Sequence, residues 1–121
     1  MSRWKNFSDN ELKCRCGCGQ TNPNPEFIEL MNIVQFMRDF LKVPLPVSSA
    51  YRCENHPIER KKVKAGWHNK AAIDLKVSRE VAHKVLELAM KLGIKGIGVN
   101  QKGEHRFIHL DMRPNRMVWS Y

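Results

Sequence analysis

The stretch RFIHLDMR, residues 106–113, alternates apolar and polar side chains at a period of two. Successive side chains of a strand point to opposite faces. Ile108 and Leu110 therefore share one face, and Phe107, His109 and Asp111 share the other. One face belongs to a core, while the other presents an imidazole and a carboxylate together. GIGVN (96–100) reads as the preceding strand, with NQKG (100–103) as the turn of a hairpin. AAIDLKV (71–77) reads as a buried strand in which Asp74 stands among Ala72, Ile73 and Leu75. A carboxylate in such a setting costs several kcal/mol, at the order-of-magnitude level, unless it is paired or bound to a metal.

Outward from these strands, the remaining pattern is helical or irregular. FSDNELK begins a short helix: Ser8 and Glu11 fit a capping box, and Phe7 is placed as a staple. CRCGCGQTNPNP is a loop. A helix is predicted from about Glu26 to Leu41, with Phe27, Leu30, Met31, Val34, Met37 and Leu41 on one stripe and Pro44 and Pro46 beyond its end. VSSAY is a short strand, and residues 54–69 read as a long loop of the kind that carries function. Ser78 is placed to cap a further helix, with Val81, Val85, Leu88 and Leu92 inward and Gly93 as its stop. Helices and strands do not alternate strictly. The expected class is therefore α+β, a small mainly antiparallel sheet with helices packed against it, and residues 1–121 are expected to form one domain.

The chain has 21 Lys and Arg against 12 Asp and Glu, a formal net charge of +9 that favours polyanionic partners such as nucleic acid, anionic lipid or an anionic cell wall. ERKKVK (59–64) is the densest basic patch, and such runs are most often solvated surface. No apolar run approaches the roughly 20 residues that span a bilayer, so no membrane span is expected. MSRWKNFSDNELK lacks the apolar centre of a secretory signal. Synthesis in the cytoplasm is expected, with release by another route if the protein acts outside.

A catalytic zinc takes three protein ligands and keeps one position for water. His68, Asp74 and His109 would supply that set. Asp111 is the first candidate to accept a proton from the bound water and Glu104, at the hairpin turn, is the reserve. The alternative for Asp111 is a structural bond to Arg113 or to a backbone amide. His56, His83 and His105 are weaker candidates, His83 on the outer side of a helix and His105 beside a turn.

Several ordered motifs together are similar to one family. FSDNELKCRCGCG, PVSSAYRC, GWHNKAAIDL, GIKGIGV, RFIHLDMR and the terminal RMVWSY resemble successive elements of the zinc D-alanyl-D-alanine carboxypeptidase family of peptidoglycan peptidases. The likeness is to its small phage and bacterial branch, which includes endolysins that cut cell-wall peptides, and the fold is shared with the Hedgehog signalling domain. The resemblance implies a zinc cofactor held by His68, Asp74 and His109. It also implies a Ser-x-x-Arg element, Ser49 to Arg52, in which Arg52 contacts a substrate carbonyl or carboxylate. A guanidinium offers a planar fork for oxygen pairs and stabilises a developing oxyanion. The chain departs from the family pattern in three places. Gly66 replaces a serine, His68 and Asp74 lie six apart rather than seven, and Arg106 stands where several relatives carry an acid.

The expected activity is hydrolysis of peptidoglycan stem peptides or cross-links by a monomer, with anionic wall polymers as a further partner. An alternative is a wall-binding module that keeps fold and zinc without turnover. A nucleic-acid-binding role ranks last, because neither aromatic interleaving nor a groove-reading helix is present. For Cys14, Cys16, Cys18 and Cys53 the spacing leaves reduced thiols, a structural metal and disulfides all open, since Cys-x-Cys-x-Cys is not the paired knuckle of a zinc ribbon.

Overall fold

The computed structural model describes residues 3–53, 56, 58 and 66–121. The basic patch at 59–64 and most of the expected loop lie outside the described residues. Three helices and a five-stranded sheet follow one another: α1 (Asp9–Leu12), α2 (Pro25–Leu41), β1 (Val47–Ser49), a 3-10 turn (Trp67–Asn69), β2 (Ala72–Leu75), α3 (Arg79–Lys91), β3 (Gly96–Asn100), β4 (Phe107–Asp111) and β5 (Met117–Ser120). The architecture is α+β, as the pattern of elements implied.

The capping box at α1 is complete. The Glu11 amide donates to Ser8 Oγ at 3.1 Å and the Ser8 amide donates to Glu11 Oε1 at 3.0 Å. Ser8→Ala is expected to cost about 1 kcal/mol, read as a drop in the thermal midpoint; an unchanged midpoint would show that the tertiary contacts of Phe7 and Leu12 hold this turn without its cap. Asn24 caps α2 through Glu26 with Pro25 in the first turn, and Lys42 closes it in the left-handed region at φ 57. The buried stripe of α2 is Phe27, Leu30, Met31, Val34 and Met37. On α3 the buried residues are Ala82, Val85, Leu88 and Ala89. Val81 and Leu92, expected inward, are only partly buried, and Ala82 and Ala89 share the buried stripe with Val85 and Leu88 instead. Ser78 occupies the N-cap position of α3 without a side-chain cap bond.

The strand order is β1-β2-β4-β3-β5. The first three pairings are antiparallel, and β5 runs parallel to β3. A strand at 117–120 was not anticipated; its burial shows no clean alternation, and it reaches β3 by stepping past that strand's first residue, with the Met117 amide donating to Lys95 O at 2.9 Å. Ile73, Leu75, Ile97, Ile108 and Leu110 join the α2 and α3 stripes in one core. The opposite sheet face therefore carries Asp74, His109 and Asp111, with β4 at its centre.

Candidate metal centre

Register aligns the polar residues. Asp74 on β2 is the cross-strand partner of His109 on β4, and His109 is the partner of Gly98 on β3. His68 arrives from the 3-10 turn, whose backbone is pinned to the segment after β1: the Arg52 amide donates to His68 O at 2.9 Å and Asn69 Nδ2 donates to Arg52 O at 2.8 Å. One ligand atom from each of His68, Asp74 and His109 lies within 4.8 Å of the others. All three residues are buried, at 6 %, 7 % and 4 % exposure.

Each donor is oriented by a second contact. His68 Nδ1 is 2.7 Å from Ala50 O. A carbonyl can only accept, so Nδ1 carries a proton, and Nε2 is the nitrogen turned toward Asp74 Oδ1, at 3.3 Å. His109 Nδ1 is 2.9 Å from Asp74 Oδ1, and its Nε2 is 2.7 Å from Asp111 Oδ2. Asp111 is fully buried at 0 % exposure and grips Arg113 as a fork. Arg113 Nε donates to Oδ1 at 2.8 Å, its terminal nitrogen donates to Oδ2 at 2.7 Å, and its amide donates to Oδ1 at 3.1 Å. The Arg113 guanidinium lies over the Trp119 ring at 4.4 Å and the Trp67 ring at 5.7 Å.

The electrostatics follow from this chain of contacts. Burial acts to raise the Asp74 carboxyl, but hydrogen bonds from His109 and His68 outweigh it and hold it down to about 2. Asp111 is likewise held down to about 2, burial being overcome by His109 and Arg113. Burial pulls the His109 imidazole down, yet the Asp111 and Asp74 carboxylates beside its two nitrogens push it up. Arg113 neutralises Asp111. Asp74 is left facing the two imidazoles.

The same atoms suit a divalent ion. Four ligands about 2.0 Å from a tetrahedral zinc stand about 3.3 Å from one another, close to the 3.3 Å and 2.9 Å separations of His68 Nε2 and His109 Nδ1 from Asp74 Oδ1. The outer nitrogen of each imidazole is already engaged by a carbonyl or a carboxylate, the usual second contact of a metal-bound histidine. The six-residue spacing between His68 and Asp74 does not prevent convergence, because the 3-10 turn carries His68 back over β2.

The other expected site residues are placed as follows. Ser49 is half-buried, opposite Asp74 across an irregular β1–β2 register. Arg52 lies two residues beyond Ala50, near enough to Tyr121 for its charge to act on that phenol. The phenol is pushed up by burial, and the charges of Asp74 and Asp111 act in the same direction. Arg52, Tyr121 and the buried triad therefore share one neighbourhood. Glu104 is exposed, in a groove with Lys76, Ser78 and Arg79 beyond the far end of β4. The fold brings His68, Asp74, His109 and Asp111 together and does not bring Glu104 to them.

Three contributors were not anticipated. Trp119 packs on the His109 ring at 5.2 Å. Gly98 makes that possible, since a Cβ there would stand 2.7 Å from the indole. A Cβ on Gly96 would run into the Asp111 carboxylate and come within 2.7 Å of Arg113 Nε. Glycine at alternate positions of β3 was the available signal: it strips side chains from the face on which His109 and Asp111 stand.

Two imidazoles and a carboxylate, buried on a sheet face with their outer atoms already engaged, define the donor set of a metal-dependent hydrolase. A family model described as Peptidase M15 matches residues 5–111, and the chain belongs to that zinc D-Ala-D-Ala carboxypeptidase-like peptidase family. Neither the curated proteins nor the solved structures gave a match. Among the described residues no helix is long and apolar enough to cross a membrane.

Proposed function

We propose that the protein is a zinc peptidase acting on the stem peptides or cross-links of bacterial peptidoglycan. The observation that carries the reading is the convergence of His68 Nε2, Asp74 Oδ1 and His109 Nδ1 in a chain of the M15 family. Zinc held by these three atoms would supply an activated water and polarise the scissile carbonyl. The protein's own part is positional. Ala50 O and Asp111 fix the two imidazoles in the tautomers that turn their lone pairs inward. Arg52 steadies the developing oxyanion or a substrate carboxylate, and Ser49, beside Asp74, lines the same edge for the substrate. Asp111 acts through His109, because both its oxygens are bonded and none of it reaches solvent. The net charge of +9 would hold the enzyme near anionic wall polymers. Action on the wall follows release from the cytoplasm by another route.

One observation favours a second reading. The carboxylate expected to accept the proton is fully engaged with Arg113 and His109, as in a metal-holding wall-binding module without turnover. Release of amines from purified peptidoglycan, with and without a chelator, decides between the two. Cleavage that chelation stops, that zinc restores and that His109→Ala abolishes supports the peptidase. Stoichiometric zinc with no new amine from any wall peptide supports the binding module instead.

A further inference from the structure

We propose that Cys14, Cys16, Cys18 and Cys53 hold a second zinc ion as a structural tetrathiolate, separate from the His68–Asp74–His109 centre. The four sulfurs all lie within 4.8 Å of one another. Cys53 Sγ is 3.5 Å from Cys14 Sγ, 3.4 Å from Cys16 Sγ and 3.8 Å from Cys18 Sγ. Thiolates about 2.3 Å from a tetrahedral zinc stand about 3.8 Å apart, close to these separations, whereas a disulfide draws two sulfurs to about 2.0 Å. The separations are those of four corners around one ion. They are too short to surround a cluster of several irons and sulfides, and soft thiolate donors select zinc over magnesium or calcium.

The backbone is arranged for the same purpose. On a strand, three cysteines at alternate positions would share one face but stand roughly 6.7 Å apart from one to the next, too far to grip one ion. Here Gly17 at φ 99 and Gly19 at φ 71 curl the segment, and the Cys14 amide donates to Gln20 O at 2.8 Å to close the loop. Amides then point at sulfur: the Cys53 amide donates to Cys14 Sγ at 3.3 Å and the Gln20 amide donates to Cys18 Sγ at 3.4 Å. Such N–H donors stabilise metal-bound thiolates and orient them. Lys13 and Arg15 flank the first cysteine and offset the negative charge of a tetrathiolate. Cys53 directly follows Arg52, and Ala50, whose carbonyl orients His68, lies three residues before it. The ion would tie the N-terminal loop to the segment that serves the other centre.

The test uses the full chain and zinc or cobalt alone as the probe. Wild-type protein is expected to hold one zinc equivalent more than a Cys16→Ser/Cys18→Ser variant, which changes two exposed residues and leaves the buried cysteines in place. His68→Ala is expected to lose the other equivalent. Cobalt-loaded wild type and His68→Ala should both show the thiolate-to-cobalt charge-transfer absorption, and the cysteine variant should lack it. Should that variant fold poorly, wild type alone decides: its four thiols should resist a thiol reagent until a chelator is added, and all four should react once it is. A cobalt spectrum without thiolate bands, thiols that react at the same rate with and without chelator, or a mass showing a disulfide among these cysteines would each overturn the assignment.

Discussion

Asp111→Ala is expected to be the most damaging single substitution on the sheet face, lowering stability by about 3 kcal/mol, the lower end of the cost of breaking a buried ion pair. The lower end applies because the Arg113 side chain keeps 18 % exposure and regains some water when its partner is lost. The loss has two parts: the guanidinium is left between Trp67 and Trp119 without its carboxylate, and His109 Nε2 loses its acceptor. Asp111→Asn separates them. The amide keeps the shape and one acceptor oxygen but turns its NH2 toward donors, so part of the stability loss should remain, while zinc affinity at the His68–Asp74–His109 centre falls about 10- to 100-fold, the usual result of removing a ligand's carboxylate partner. Thermal unfolding of the metal-free chain and competitive zinc titration measure the two parts. If Asp111→Asn binds zinc as tightly as wild type, the carboxylate does not act through His109.

Gly96→Ala should come next, at about 2 kcal/mol, within the range for overpacking a well-filled site. Replacing glycine within a strand is ordinarily favourable. Here the added methyl would occupy the space of the Asp111 carboxylate, which is held from three directions by Arg113 and His109 and has nowhere to retreat. Displacing it should also weaken zinc binding, so a lower thermal midpoint and a lower metal affinity should appear together. Gly98→Ala gives the contrast. Its methyl meets the Trp119 ring, which sits on the edge strand β5 and is only partly buried, so that ring can shift at smaller cost. A Gly96→Ala protein that melts with wild type would mean the carboxylate has more room than the packing indicates.

Much of this site was legible because β4 obeys the simplest periodicity in protein structure. Alternation in FIHLD puts His109 and Asp111 on one face and Ile108 and Leu110 in the core, and the register with β2 then brings Asp74 opposite His109. The capping box and the α2 stripe were legible for the same reason, since each is set by neighbours within a few residues. Longer-range placements were not. On α3, Val85 and Leu88 are buried as expected, but Ala82 and Ala89 complete the stripe, and such small side chains weigh little in an apolar periodicity. Trp119 lies far along the chain from His68, and only the parallel β3–β5 pairing, made after Pro114, brings it over the site. The Asp111–Arg113 fork was one of two readings, because residues two apart share a strand face but the chain leaves β4 between them.

The indoles that clasp Arg113 have a practical consequence. Of the chain's three tryptophans, Trp67 and Trp119 both lie against the guanidinium, and Trp119 also touches the His109 ring. Two of the three indoles therefore stand in the charged surroundings of one small region. An event that exchanges the His109 proton for another cation alters the field at the Trp119 chromophore, so occupancy of the centre can be followed optically on the unlabelled chain.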